Sequence, residues 1–146
     1  MIIREVLYQD LLELLNLYTH LHDREMPVID NSLQELWNGI LNDPNHHILV
    51  AFEDGVLVSS CVLIVVPNLT HKQKSYALIE NVITHPQYRK KGYATQVLDY
   101  AKRLALENNC YKIMLMTGSK EASVFRFYEG AGYNSEDKTA FIQWLD

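Results

Sequence analysis

From Ser75 to Met116 the chain runs through an apolar stretch, a basic turn with one glycine, a helical stretch and a second apolar stretch. This order constrains the fold more than any other segment. Ser75 to Thr84 reads as a strand that ends at His85-Pro86. Beyond Gly92, residues Ala94, Val97, Leu98, Ala101, Leu104 and Ala105 recur at helical spacing up to Asn108-Asn109. Lys112 to Met116 is strand-like again. Such a strand, glycine turn, helix, strand unit belongs to a mixed α/β domain.

The flanking sequence agrees. Met1 to Leu7 alternates loosely and reads as a first strand. Asp10 precedes Leu11, Leu12, Leu14, Leu15, Leu17, Tyr18 and Leu21, an amphipathic helix. Asn31 or Ser32 caps a second helix with the stripe Leu33, Leu36, Trp37, Ile40 and Leu41, which Asp43-Pro44 ends. Asp54-Gly55 joins two β-branched runs, 48–52 and 56–66, and predicts a hairpin. A helix over Ala122 to Glu129 and a last strand near Ala140 to Leu145 complete the order β-α-α-β-β-β-α-β-α-β. With 146 residues and no linker or repeat, one domain over 1–146 is expected.

Composition excludes several classes. A net charge of -5 leaves no basic footprint for general nucleic-acid binding. No apolar run approaches the ~18 residues of a membrane span, and the start lacks a leader pattern, so a cytoplasmic protein without membrane contact is expected. Cys61 and Cys110 show no redox or metal spacing and are expected as reduced, buried thiols. His20 and His22 stand two apart on a helix, and His46-His47 follow a helix-ending proline, so no metal site is expected.

The chemistry concentrates in Glu80-Asn81-Val82-Ile83-Thr84-His85-Pro86-Gln87-Tyr88-Arg89-Lys90-Lys91-Gly92-Tyr93-Ala94. A strand end here enters a turn at a helix N-terminus, where orphan N–H groups and the positive dipole end attract anions. Gly92 suits close approach or a positive φ, small Ala94 leaves room, and Arg89, Lys90 and Lys91 supply charge, a combination suited to a pyrophosphate. His85 reads as a turn residue rather than a base. Arg89-x-x-Gly92-x-Ala94 resembles the signature of the GCN5-related N-acetyltransferase (GNAT) superfamily, and Phe127-Tyr128-Glu129-Gly130-Ala131-Gly132-Tyr133 resembles its second signature. The likeness is best from Ser75 to Tyr133. A narrower likeness to glucosamine-6-phosphate N-acetyltransferases rests on Ile79-Glu80-Asn81-Val82, Cys110-Tyr111-Lys112-Ile113 and Phe127-Tyr128-Glu129.

The resemblance implies a twisted mixed sheet of about six or seven strands with one splayed parallel pair and four helices. It implies acetyl-CoA as cosubstrate and no metal. Backbone groups of Val82, Ile83 and Thr84 would pair with the pantetheine arm, with an N–H of Val82 or Ile83 facing the thioester oxygen as an oxyanion donor. Backbone groups from Arg89 through Thr95, including Lys90, Lys91, Gly92, Tyr93 and Ala94, would bind the pyrophosphate. Tyr128 matches the general acid of the family, a phenol with ordinary pKa near ~10 that protonates the leaving thiolate; its alternative is a core aromatic. Glu80 stands where it would deprotonate the amine directly or through a water, against the alternative of a half-buried carboxylate. A bulge in the strand would instead bring Asn81 to that water.

The family's commoner asparagine, seven residues before the acid tyrosine, is here Glu121, and Ser119 or Ser123 would take over its contact. The expected activity is N-acetylation of a small-molecule or peptide amine by direct attack in a ternary complex, with a homodimer compatible with the family. The alternative is a non-catalytic acyl-CoA-binding regulatory module. Tyr18 to Asn31 would line the acceptor side, and its mixed charges select no one amine.

Overall fold

In the computed structural model, residues 1–22 and 25–146 are described. They form two compact units, Met1–Met114 and Leu115–Asp146. The expected loop from Tyr18 to Asn31 lies partly outside the described residues, at Asp23 and Arg24.

The first unit, but for Leu115 at the end of β5, holds strands β1 (Ile2–Glu5), β2 (His46–Glu53), β3 (Val56–Val66), β4 (Ser75–Thr84) and β5 (Cys110–Leu115), in that spatial order. β1 to β4 are antiparallel neighbours, and β5 runs parallel to β4. Helices α1 (Leu11–Tyr18), α2 (Asn31–Asn42) and α3 (Tyr93–Glu107) belong to this unit, and α4 (Ala122–Gly130) to the second. The parallel pair follows from the α3 crossover, since a helix between adjacent strands returns the chain to the same end of the sheet.

The central strands β2 and β3 are buried on both faces. Ile48, Val50, Val62 and Ile83 pack with Leu11, Leu14 and Leu17 of α1 and Trp37 of α2. The intervening Leu49 and Ala51 point to the other face, where α3 contacts β2, β3 and β4. Val97, Leu98, Ala101 and Ala105 are the buried stripe of α3, as their spacing predicts. The β2–β3 hairpin turns on Asp54 (φ 50°) and Gly55 (φ 78°), two left-handed residues that match the twist of the strands.

Local chemistry sets several boundaries differently from the pattern. β1 stops at Glu5 because the Leu7 N–H turns to the Asp10 carboxylate at 2.7 Å. Asp10 therefore does not cap α1; it accepts two hydrogen bonds from Arg4, at 2.6 and 3.1 Å. Asp30, rather than Asn31 or Ser32, caps α2 by accepting from the Leu33 N–H at 2.9 Å.

Among the described residues five strands form instead of six or seven. Ala140 to Leu145 has apolar residues but pairs with no strand among the described residues, and Phe141, Trp144 and Leu145 are 92%, 79% and 92% exposed. Apolar composition makes a strand only where a ladder partner takes its backbone groups. Both cysteines are free thiols; Cys61 is buried, whereas Cys110 is only half-buried.

Candidate active site

β4 is bulged at its centre. Val62 lies opposite Glu80 and Ser60 opposite Ile83, so Asn81 and Val82 share the single position of Cys61. Asn81 absorbs the extra residue with φ 52°, a left-handed conformation that asparagine tolerates better than most residues. The alternation of faces breaks here, and Glu80 and Asn81 are both exposed. Glu80 is thus not a half-buried carboxylate; it makes no hydrogen bond or ion pair among the described residues.

Beyond the bulge the strand end is pinned by side chains. Ser59 Oγ donates to the Ile83 carbonyl at 3.0 Å and lies 2.9 Å from Thr84 Oγ1, while Arg89 Nε donates to the Thr84 carbonyl at 3.3 Å. The His85 N–H donates to the Val58 carbonyl at 2.8 Å. Pro86–Tyr88 forms one 3-10 turn in which the Gln87 N–H donates to His85 Nδ1 at 3.1 Å. Burial, then the His20 ring 4.6 Å away and Arg89, hold the His85 imidazole below its ordinary pKa. His85 is accordingly a neutral turn residue.

The turn into α3 contains two left-handed residues, Lys90 (φ 62°) and Gly92 (φ 84°). A Cβ added to Gly92 would meet nothing within 4 Å, so the turn is open on that side. The Gly92 carbonyl accepts the Gln96 N–H at 3.1 Å, and the N–H groups of Tyr93, Ala94 and Thr95 are the unpaired donors at the start of a helix. Tyr93 itself points inward, its hydroxyl donating to Glu53 at 3.0 Å across to the β2–β3 hairpin. Arg89, Lys90 and Lys91 are exposed, with Lys91 Nζ 5.4 Å from the Tyr88 ring centre. The residues present therefore fit a bound pyrophosphate: open space, backbone donors and cationic side chains meet at one turn.

In the second unit, Tyr128 is half-buried on α4 between the rings of Phe127 and Tyr133, 5.0 and 6.3 Å away. Gly132, with φ 100°, lets the chain leave the helix, and the Tyr133 N–H donates back to the Tyr128 carbonyl at 3.0 Å. The second signature is thus a helix C-terminus that folds back beside its own tyrosine. Phe125 of α4 is 37% exposed.

Pattern reading passed over Ser59 and Ser60. Ser59 and Ser60 are fully buried within the apolar run of β3, each bonded to a neighbouring strand, and two hydroxyls in such a run were the available signal. Among the described residues no group of three or more His, Cys, Asp or Glu side chains is placed to hold a metal ion. No helix is long and apolar enough to cross a membrane among them.

The profile of the Acetyltransferase (GNAT) family matches residues 8–133, which include both signatures. The chain belongs to this family. A solved structure from Agrobacterium tumefaciens str. C58, assigned as an acetyltransferase, is 34% identical, with 99% of this chain and 100% of that one covered and a TM-score of 0.90. A glucosamine 6-phosphate N-acetyltransferase of Trypanosoma brucei brucei is 26% identical over 84 residues, which is 58% of this chain and 55% of that protein. The Arabidopsis thaliana enzyme of that name shares the fold at a TM-score of 0.86, with 17% identity over 99% of this chain and 98% of that one. The two likenesses read from the sequence, to the GNAT family and to these aminosugar enzymes, both stand.

Proposed function

We propose that residues 1–146 act as one acetyl-CoA-dependent N-acetyltransferase domain, moving an acetyl group to a primary amine by direct attack in a ternary complex. One observation carries this reading: a bulged strand leads directly into an open turn with left-handed Lys90 and Gly92 at the head of α3. Acetyl-CoA, when bound, supplies an acetyl group activated as a thioester.

Backbone groups of Val82, Ile83 and Thr84 hold the pantetheine arm, an N–H of Val82 or Ile83 serving as oxyanion donor. The Ile83 and Thr84 carbonyls already accept from Ser59 and Arg89, which keeps this strand end rigid. Arg89 through Thr95 bind the pyrophosphate through backbone donors, aided by the side chains of Arg89, Lys90 and Lys91.

Glu80 takes the proton that the attacking amine must lose. Its exposure at the bulge leaves it open to an incoming acceptor or to a water. Tyr128 gives a proton to the thiolate as the carbon–sulfur bond breaks. The acceptor is a small-molecule or peptide amine; an amino sugar phosphate is the first to try, given the trypanosomal relative. The same reading places the protein in the cytoplasm, where its two free thiols stay reduced, and is compatible with a homodimer. Release of free CoA from acetyl-CoA, measured with glucosamine 6-phosphate, spermidine, kanamycin and a peptide N-terminus, tests it. Binding of acetyl-CoA without turnover on any of them would leave a non-catalytic acyl-CoA-binding module instead.

A further inference from the structure

α1 ends against the β4 bulge with an unsatisfied hydroxyl. The Tyr18 oxygen is sealed from solvent and closes no hydrogen bond among the described residues. The polar side chains bearing on it are Ser60, Asn81 and the Cys61 thiol. Burial pushes the Tyr18 phenol up to about 12, so it is a neutral O–H throughout the physiological range. A buried hydroxyl in this condition demands an account, because the neighbouring hydroxyls of Ser59 and Ser60 are both bonded.

The bond Ser60 already makes limits how the protons around it can run. Ser60 Oγ donates to the Leu49 carbonyl at 2.7 Å, so toward Tyr18 it accepts. With the Tyr18 proton given to Ser60, the Tyr18 oxygen is an acceptor toward Asn81. Of the two ends of the amide, only Nδ2 donates. Pairing Nδ2 with Tyr18 turns Oδ1 to the exposed side of the bulge, beside Glu80.

We propose that Tyr18 is a positioning residue for the acceptor: it orients the Asn81 amide so that Oδ1 receives an N–H of the incoming amine. This rests on the acetyltransferase reading given above. Hydrogen bonds among catalytic groups are often long in the empty protein and tighten when substrates bind, which is the adjustment required of Tyr18, Ser60 and Asn81. An amine presents an N–H to Oδ1 whether protonated or neutral, so the contact persists while Glu80 takes the proton.

Two conservative variants test the relay. Tyr18→Phe keeps the ring in the core and removes the hydroxyl; Asn81→Gly keeps the left-handed bulge and removes the amide. Steady-state kinetics use whichever of glucosamine 6-phosphate, spermidine and kanamycin the parent protein acetylates fastest. Each single variant should raise the acceptor KM by roughly tenfold with kcat changed less than about threefold, the mark of lost ground-state binding. The double variant should be no worse than either single one, since Tyr18 acts through Asn81. The melting temperature of Tyr18→Phe should equal or exceed that of the parent, and acetyl-CoA affinity measured by calorimetry should not change.

Unchanged acceptor KM in Tyr18→Phe, or additive losses in the double variant, would overturn the proposal while leaving the acetyltransferase reading intact. A lower melting temperature with parental kinetics would make Tyr18 structural and overturn it as well. A parent protein that acetylates none of the amines ends the acetyltransferase reading and this proposal with it.

Discussion

Tyr128 and Glu80 divide the proton bookkeeping of the proposed reaction, and their surroundings differ as those tasks require. Tyr128 is held between Phe127 and Tyr133, whereas Glu80 is exposed on the broken face of β4. Tyr128→Phe keeps the ring and its packing, so acetyl-CoA affinity should be nearly parental while turnover drops at least about tenfold, below the ~100- to 10,000-fold range typical of a positioned acid. In the parent, rate should rise as the amine loses its proton and fall where the phenol ionises at high pH. The variant should lack the high-pH fall. Single-turnover measurements establish that chemistry limits the rate; given that, a variant matching the parent at every pH would reduce Tyr128 to a packing aromatic.

Two elements owe their geometry to a single residue each. The turn before α3 depends on Gly92, where the φ of 84° rather than crowding is what a side chain would oppose. Gly92→Val should cost about 1–2 kcal/mol of stability, the strain of a left-handed residue with a branched side chain. Acetyl-CoA affinity should fall by at least about tenfold, because the same side chain stands where phosphates approach. Calorimetric affinity equal to the parent would show that this turn does not hold the phosphates.

The entry to α1 depends on Asp10, buried and paired with Arg4. The Arg4 hydrogen bonds, opposed by burial and helped by the Leu7 N–H, hold its carboxyl below the ordinary value of 3.8. A carboxyl depressed in the folded state contributes stability that is fully present above that value and is lost as pH falls through the lower folded one. Asp10→Ala should therefore cost about 2–3 kcal/mol at neutral pH, with the gap to the parent closing on acidification, as denaturant melts across that range would show.

At the scale of the whole molecule, the proposed cosubstrate acts on stability by binding the folded state. A ligand that binds only the folded state stabilises it by ~2.7 kcal/mol at a hundredfold excess over its Kd. For a chain of this length each kcal/mol raises the melting temperature by about 2–4 °C. Acetyl-CoA should raise the midpoint by several degrees, and more with each increment of concentration. No shift and no heat of binding at millimolar acetyl-CoA would remove the basis of the proposed activity.

The periodicity of α1, α2 and α3, the Asp54-Gly55 hairpin and the strand, turn, helix, strand unit at 75–116 were determined by the sequence alone. Each rests on spacing or on a residue whose backbone preference is local: an apolar stripe, a left-handed Asp-Gly pair, a proline after His85. The two GNAT signatures were legible for the same reason, since each is a contiguous run built around a glycine turn. The tertiary structure decided what depends on distant partners. Arg4 and the Leu7 N–H take up the Asp10 carboxylate at the start of α1, and among the described residues no strand takes up Ala140 to Leu145. The bulge at Asn81 is a mismatch between β3 and β4, two strands whose register no single segment contains. It exposes Glu80 and sets Tyr18, an ordinary stripe residue in the sequence, against the amide beside it, because contact across a sheet is fixed by pairing and packing rather than by order along the chain.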